Sequence, residues 1–318
     1  MLNLPKRATV VEVGPRDGLQ SLDKWIETDT KIAIIDRLSD AGFPVIEVTS
    51  FAHPRVVPML RDAEEVLARI KRRPGIVYRA LVPNKRGALR AIETDIDEIL
   101  GLMTVSASYM AKNQNMTVDE AITAGGDCFR VADEAGRAFI MALGMSFFCP
   151  YEGKIPLEST LDCVDRLRNL GVRRFYLAAS TGMEDPRHVN EMFRRATDRF
   201  PDCEFGFHLH EKMGLASANM VAALDAGVTM IEGSICGIGG GIVFPGGTGS
   251  VGNLPSEDIV HFLNEMGIET GISTEDALAA ARDVADLAEL PANSRLATIG
   301  TRDGITELGR TAPAVHPT

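Results

Sequence analysis

Eight short runs rich in Val, Ile and Phe recur along the chain, separated by longer stretches in which apolar residues return at helical spacing. The predicted strands are Thr9–Val13, Val45–Phe51, Val77–Val82, Glu98–Ser106, Phe139–Phe147, Arg174–Ser180, Glu204–His210 and Met230–Ile235. Between the first two, DTKIAIIDRLSDAG places Ile32, Ile35 and Leu38 on one stripe of a helix. Gly42, Gly136, Gly171 and Gly227 stand where such helices would stop. Eight strand–helix units are the count of a closed barrel. A doubly wound open sheet is the competing arrangement, but no GxGxxG turn follows the first strand. The fold expected is α/β, a (β/α)8 TIM barrel. The segment TEDALAAARDVADLAEL, from Thr274, reads as an extra C-terminal helix on its outside. Residues 1–318 are thus expected to form one catalytic domain, with 274–318 as its C-terminal helical extension.

Composition agrees with this. With 318 residues, 45% hydrophobic but only 6% aromatic, the chain can pack an Ala/Val/Ile/Leu core without disulfide staples. The five cysteines form no CxxC, and the N-terminus MLNLPKRATVVEVG has no long apolar segment, so a cytoplasmic location is expected. No apolar run approaches the roughly 18–20 residues that span a bilayer, so no membrane partner is expected. A formal charge of −11 disfavours general nucleic-acid binding. It leaves room for an anionic small molecule, which needs only a few local cations and helix N-termini.

In a barrel of this kind chemistry gathers at the C-terminal ends of the strands. After the first strand comes GPRDGLQ, where Arg16 and Asp17 leave the strand in a sharp turn. A plain Arg–Asp surface turn would look the same. The second strand carries Glu47 between Ile46 and Val48; a carboxylate facing inward there needs a partner or a task. The seventh strand carries His208 and His210, which as residues i and i+2 face the same way. Two such imidazoles with a carboxylate make a reasonable divalent-metal set, whereas alone they could be ordinary edge histidines.

After the eighth strand, SICGIGGGIVFPGGTGSVGN has seven glycines between Gly237 and Gly249. A floppy surface loop and a mobile lid over the barrel mouth both fit that composition. Asn253 closes this run just before a helix with Ser256-Glu257-Asp258 at its start. Strands one and eight are neighbours in a closed barrel, so Asp17, Glu47, His208, His210 and Asn253 are expected in one sector.

Taken together, VEVGPRDGLQ, IEVTSF, LVPN, CPYEGKI, FHLH and GNLPSEDIV resemble the 3-hydroxy-3-methylglutaryl-CoA lyases, a branch of the metal-dependent lyase and aldolase superfamily of DRE-TIM type. The resemblance implies that Asp17, His208, His210 and Asn253 hold a divalent cation, Mg²⁺ or Mn²⁺. It implies that Arg16 lies against the thioester or enolate oxygen and that Glu47 and Gln20 line the substrate site. The implied reaction is a retro-Claisen cleavage of a hydroxyacyl-CoA to a keto acid and acetyl-CoA. An acyl-CoA partner and a homodimer follow from the same resemblance.

Three departures surround the substrate and leave the implied cation ligands intact. The family carries a cysteine in its glycine loop where this chain has Gly241. It reads Asp-Thr where this chain has Ser180-Thr181, and Asp-Thr-Tyr-Gly where this chain has Glu211-Lys212-Met213-Gly214. Cys236, Glu211 and Tyr109 are the groups considered for proton transfer in place of the absent thiol. An aldolase or condensing enzyme of the same superfamily is the alternative, acting on an α-keto acid or a hydroxy acid. A barrel that only binds a ligand is a further one. A zinc hydrolase would want its HxH on the first strand and more histidines on the middle strands, which His53, His188, His261 and His316 do not supply.

Overall fold

The computed structural model describes residues 2–240, 244, 251–291 and 294–312. Eight strands alternate with helices: β1 (Thr9–Glu12), β2 (Val45–Ser50), β3 (Val77–Val82), β4 (Glu98–Thr104), β5 (Ala138–Gly144), β6 (Arg174–Ala179), β7 (Glu204–Glu211) and β8 (Met230–Gly233). All pair in parallel with their sequence neighbours, and β8 pairs with both β1 and β7, which closes the barrel. The helices are α1 (Thr28–Asp40), α2 (Ala63–Arg69), α3 (Lys85–Ile92), α4 (Ala107–Asn113), α5 (Val118–Glu134) and α6 (Leu157–Asn169). They continue with α7 (Pro186–Arg199), α8 (Ala216–Asp225), α9 (Ser256–Glu265), α10 (Thr274–Ala288), α11 (Arg295–Ile299) and α12 (Arg302–Thr311). The TIM barrel is therefore present. The expected single C-terminal helix is three helices, with α10 packed on α1 and α9. Among the described residues no helix is long and apolar enough to cross a membrane.

Local chemistry explains the punctuation. Gly42, Gly136, Gly171 and Gly227 all have positive φ just beyond helix ends, a conformation that costs glycine little. The longest helix, α5, begins in a reciprocal capping box between Thr117 and Glu120.

Strand alternation divides the interior in two. Outward residues such as Val10, Ile46, Phe175 and Phe207 join one large core beneath the helices. Inside the barrel the apolar cluster is small: Leu81, Leu100, Ile140, Ala142, Tyr176 and Met230. The rest of that interior is polar, with Glu47, Arg79, Glu98 and Glu232 buried. Buried charges of this kind persist only when they are paired.

Candidate metal centre

The turn after β1 is a single π-helical turn, Gly14–Gly18, in which Asp17 N donates to Val13 O at 2.7 Å. It lifts Arg16 and Asp17 out of the strand line and turns both side chains into the mouth. A Cβ on Gly18 would lie 2.4 Å from Ile238, so the turn can seat only because that position is bare. Arg16 then lies between two carboxylates. Its Nε donates to Glu47 Oε1, and its Nη1 donates to Asp17 Oδ1 at 2.6 Å.

On β7, Phe207 faces outward against Phe193 and Phe147, which sends His208 and His210 inward as the two-residue period requires. Their Nε2 atoms meet at 3.0 Å. One oxygen of Asp17 and one nitrogen of each imidazole lie within 4.8 Å of one another, a group able to hold a metal ion.

Asn253 reaches the same point by an unexpected route. Gly252–Asn253 pairs antiparallel with the end of β7, placing Asn253 opposite His210. Its Nδ2 donates to Asp17 Oδ2 at 2.7 Å and to Ile238 O at 3.0 Å. A Cβ on Gly239 would lie 2.1 Å from that Nδ2, so only a glycine lets the backbone pass this close to the pair.

The electrostatics follow from burial and neighbours. Burial alone would raise the Asp17 pKa, but the Arg16 guanidinium and both imidazoles outweigh it and hold the carboxyl below the usual carboxylate range. Burial, reinforced by His208, pushes His210 down to about 4. Burial works against charge on His208 too, but the Glu232 carboxylate outweighs it and raises the pKa. Burial raises Glu47, whose Oε2 has no hydrogen-bond partner. The Asn253 Oδ1 is likewise buried and unpartnered. A pocket with this surplus of acceptors over donors suits a divalent cation.

Gln20 sits half-buried two residues beyond the π turn. The groups considered for proton transfer have other partners. Cys236 is fully buried at φ 59° and its thiol donates to Ala281 O on α10 at 3.2 Å, away from the mouth. Burial, helped by Glu257 and Glu12, pushes that thiol well above its ordinary range. Glu211 spends both oxygens on backbone, Oε1 on Gly214 N and Oε2 on Ala216 N at 3.1 Å, so it caps the start of α8. The Tyr109 ring packs on Tyr151 at 6.2 Å between centroids, and burial raises its pKa. Gly241 and most of the glycine run, including the proposed lid, lie outside the described residues.

Sequence reasoning missed Glu232, whose Oε2 lies 2.9 Å from His208 Nδ1. The available signal was a carboxylate in the apolar run MIEGSI, on the face shared with Met230.

A family model described as HMGL-like matches residues 7–284. The chain belongs to the HMGL-like family. It is 38% identical over 291 residues to hydroxymethylglutaryl-CoA lyase YngG of Bacillus subtilis, covering 92% of this chain and 96% of that protein. The crystal structure of the B. subtilis HMG-CoA lyase superposes with a TM-score of 0.88, covering 93% of this chain and 98% of the other. An HMG-CoA lyase from Acinetobacter baumannii in complex with coenzyme A and 3-methylmalate gives 0.87 at 32% identity, covering 98% of each chain. The family model therefore ends within α10, before α11 and α12.

Proposed function

We propose that this chain is a divalent-metal-dependent carbon–carbon lyase that cleaves 3-hydroxy-3-methylglutaryl-CoA to acetoacetate and acetyl-CoA. The observation that carries the reading is the meeting of Asp17, His208 and His210 within 4.8 Å, beside a buried Arg16. Kinship with the B. subtilis and A. baumannii lyases supports the substrate class.

In this reading Asp17, His208, His210 and Asn253 hold the cation, Mg²⁺ or Mn²⁺. When bound, it would polarise the substrate's tertiary hydroxyl and a neighbouring oxygen and make the hydroxyl proton easier to remove. The hydroxyl carbon becomes a carbonyl as its bond to the carbon next to the thioester breaks. The electron pair passes to that carbon and its thioester oxygen, and the enolate then takes up a proton.

Arg16 is fixed by Glu47 and Asp17 through Nε and Nη1, which leaves Nη2 for the developing oxyanion. Because the guanidinium is already anchored, it stabilises that charge without first reorganising. In this reading Glu47 acts as the anchor and Gln20 lines the substrate site. In the same reading residues 1–318 form one catalytic barrel, with 274–318 as a C-terminal helical extension, and the protein works in the cytoplasm as a homodimer.

The test is direct assay of metal-stripped protein reloaded with Mg²⁺ or Mn²⁺, offered 3-hydroxyacyl-CoA thioesters and 4-hydroxy-2-oxo acids. Acetyl-CoA released from hydroxymethylglutaryl-CoA is expected. Turnover that survives exhaustive chelation, or in His210→Ala, would reject the metal mechanism. Products only from the oxo acids would favour an aldolase, and silence across the panel a binding role.

A further inference from the structure

Arg79 on β3 is a fully buried charge, in register with Glu47 of β2. Its Nε donates to Glu98 Oε2 at 2.6 Å, and its Nη1 donates to Glu232 Oε1 at 3.0 Å. The Tyr176 ring covers it, with the guanidinium carbon 5.2 Å from the ring centroid. The second oxygen of Glu232 lies 2.9 Å from His208 Nδ1. A guanidinium is a donor only and stays protonated, so Glu232 Oε1 must accept. With the carboxylate so held, Oε2 accepts as well, and Nδ1 of His208 must carry the hydrogen. The lone pair of His208 is then left on Nε2, the atom that faces His210 and Asp17.

We propose that Arg79 and Glu232 are a positioning pair that locks His208 in the Nδ1–H tautomer and aims its Nε2 lone pair at the cation. The proposal rests on the reading of Asp17, His208 and His210 as a cation site. Neither residue touches the substrate; both act through the imidazole.

Glu232→Gln is the discriminating change because it preserves shape. Arg79 still donates, so the carboxamide oxygen must face Arg79 and the amide NH2 must face His208. Nδ1 then has to accept, the proton moves to Nε2, and the lone pair leaves the cation site. Arg79→Lys keeps the positive charge but cannot bridge Glu98 and Glu232 with a planar fork.

Two readouts apply to full-length, metal-stripped protein. Long-range ¹H–¹⁵N spectra of histidine-labelled samples, at a pH that keeps both imidazoles neutral, report the tautomer. Calorimetric titration with Mn²⁺ reports affinity, with melting temperature recorded beside it. Wild type is expected as Nδ1–H. Glu232→Gln is expected as Nε2–H, with Mn²⁺ binding weakened by about 10–100-fold. Arg79→Lys is expected to lose less, and the double variant to bind no more weakly than Glu232→Gln alone.

Unaltered Mn²⁺ affinity in Glu232→Gln, an Nε2–H tautomer in wild type, or simple addition of the two losses overturns the pair while leaving the cation site standing. Wild-type protein that takes up no Mn²⁺ overturns the cation reading and the pair with it. Should Arg79→Lys fail to fold, the Glu232→Gln tautomer and affinity decide the matter alone.

Discussion

Asn253 and Asp17, separated by 236 positions in the chain, are joined by a 2.7 Å hydrogen bond from Nδ2 to Oδ2. The bond closes the barrel mouth between the turn after β1 and the strand pairing beside β7. It also fixes Asp17 without using Oδ1, which Arg16 takes at 2.6 Å. Asn253→Ala should weaken Mn²⁺ binding by about 10–100-fold, and Asp17→Asn should weaken it further because the charge itself is lost. Calorimetry on metal-stripped protein measures both. Equal affinity in Asp17→Asn and wild type would remove Asp17 from the cation site.

Arg16 makes a different prediction. It neutralises two buried carboxylates, so deleting it would leave uncompensated charge and risk the fold. Arg16→Lys keeps the charge but cannot serve Glu47, Asp17 and an oxyanion together. The expected result is a kcat lower by about 10²–10³-fold with a smaller change in KM, the pattern of a contact made in the transition state. A loss confined to KM would assign Arg16 to substrate binding only.

How far these sites could be read from sequence depends on how each is built. His208 and His210 face together because a strand alternates, and that rule needs no tertiary information. The strand positions were legible for the same reason, each within a few residues of its observed ends. Asp17 followed once closure made β1 and β8 neighbours. What could not be read were contacts across the barrel. Arg79 and Glu232 are 153 positions apart on non-adjacent strands, and nothing local pairs them. Cys236 shows the other limit. Its left-handed φ of 59° rotates the thiol toward α10, and sequence gave no sign of that backbone turn in a non-glycine residue.

That orientation is testable. The thiol is buried, bonded to Ala281 O, and held protonated by its surroundings. Cys236→Ala should leave kcat within about threefold of wild type while costing on the order of 1 kcal/mol of stability, from a lost sulfur and a lost hydrogen bond. Native protein should also resist alkylation at this position until it is unfolded. A large fall in kcat at unchanged melting temperature would restore the thiol to the chemistry.

Beneath Cys236 lies a pair of buried carboxyls that should set a pH slope on stability. Both oxygens of Glu257, in the first turn of α9, receive the Cys236 N–H, at 3.1 and 3.2 Å. Glu12 accepts from Gly14 N at 2.6 Å and Ile235 N at 2.9 Å. Burial raises Glu257 from 4.5 to about 8, with Asp258 and Glu12 adding repulsion. Burial also raises Glu12 from 4.5 to about 7. For an acid raised on folding, the unfolded chain gives up its proton near 4.5 while the folded chain keeps it. Fewer protons are then bound in the unfolded state, so stability is full below 4.5 and declines as pH rises through 7 and 8. Each group contributes a slope of up to about 1.4 kcal/mol per pH unit within that window. Glu257→Gln, whose carbonyl oxygen can still accept from Cys236, removes one of the two slopes. Its urea-unfolding stability should gain on wild type steadily between pH 5 and pH 8, by about 1 kcal/mol or more in all. Parallel stability curves for the two proteins across that range would show that Glu257 is ionised in the fold and that its burial carries no proton linkage.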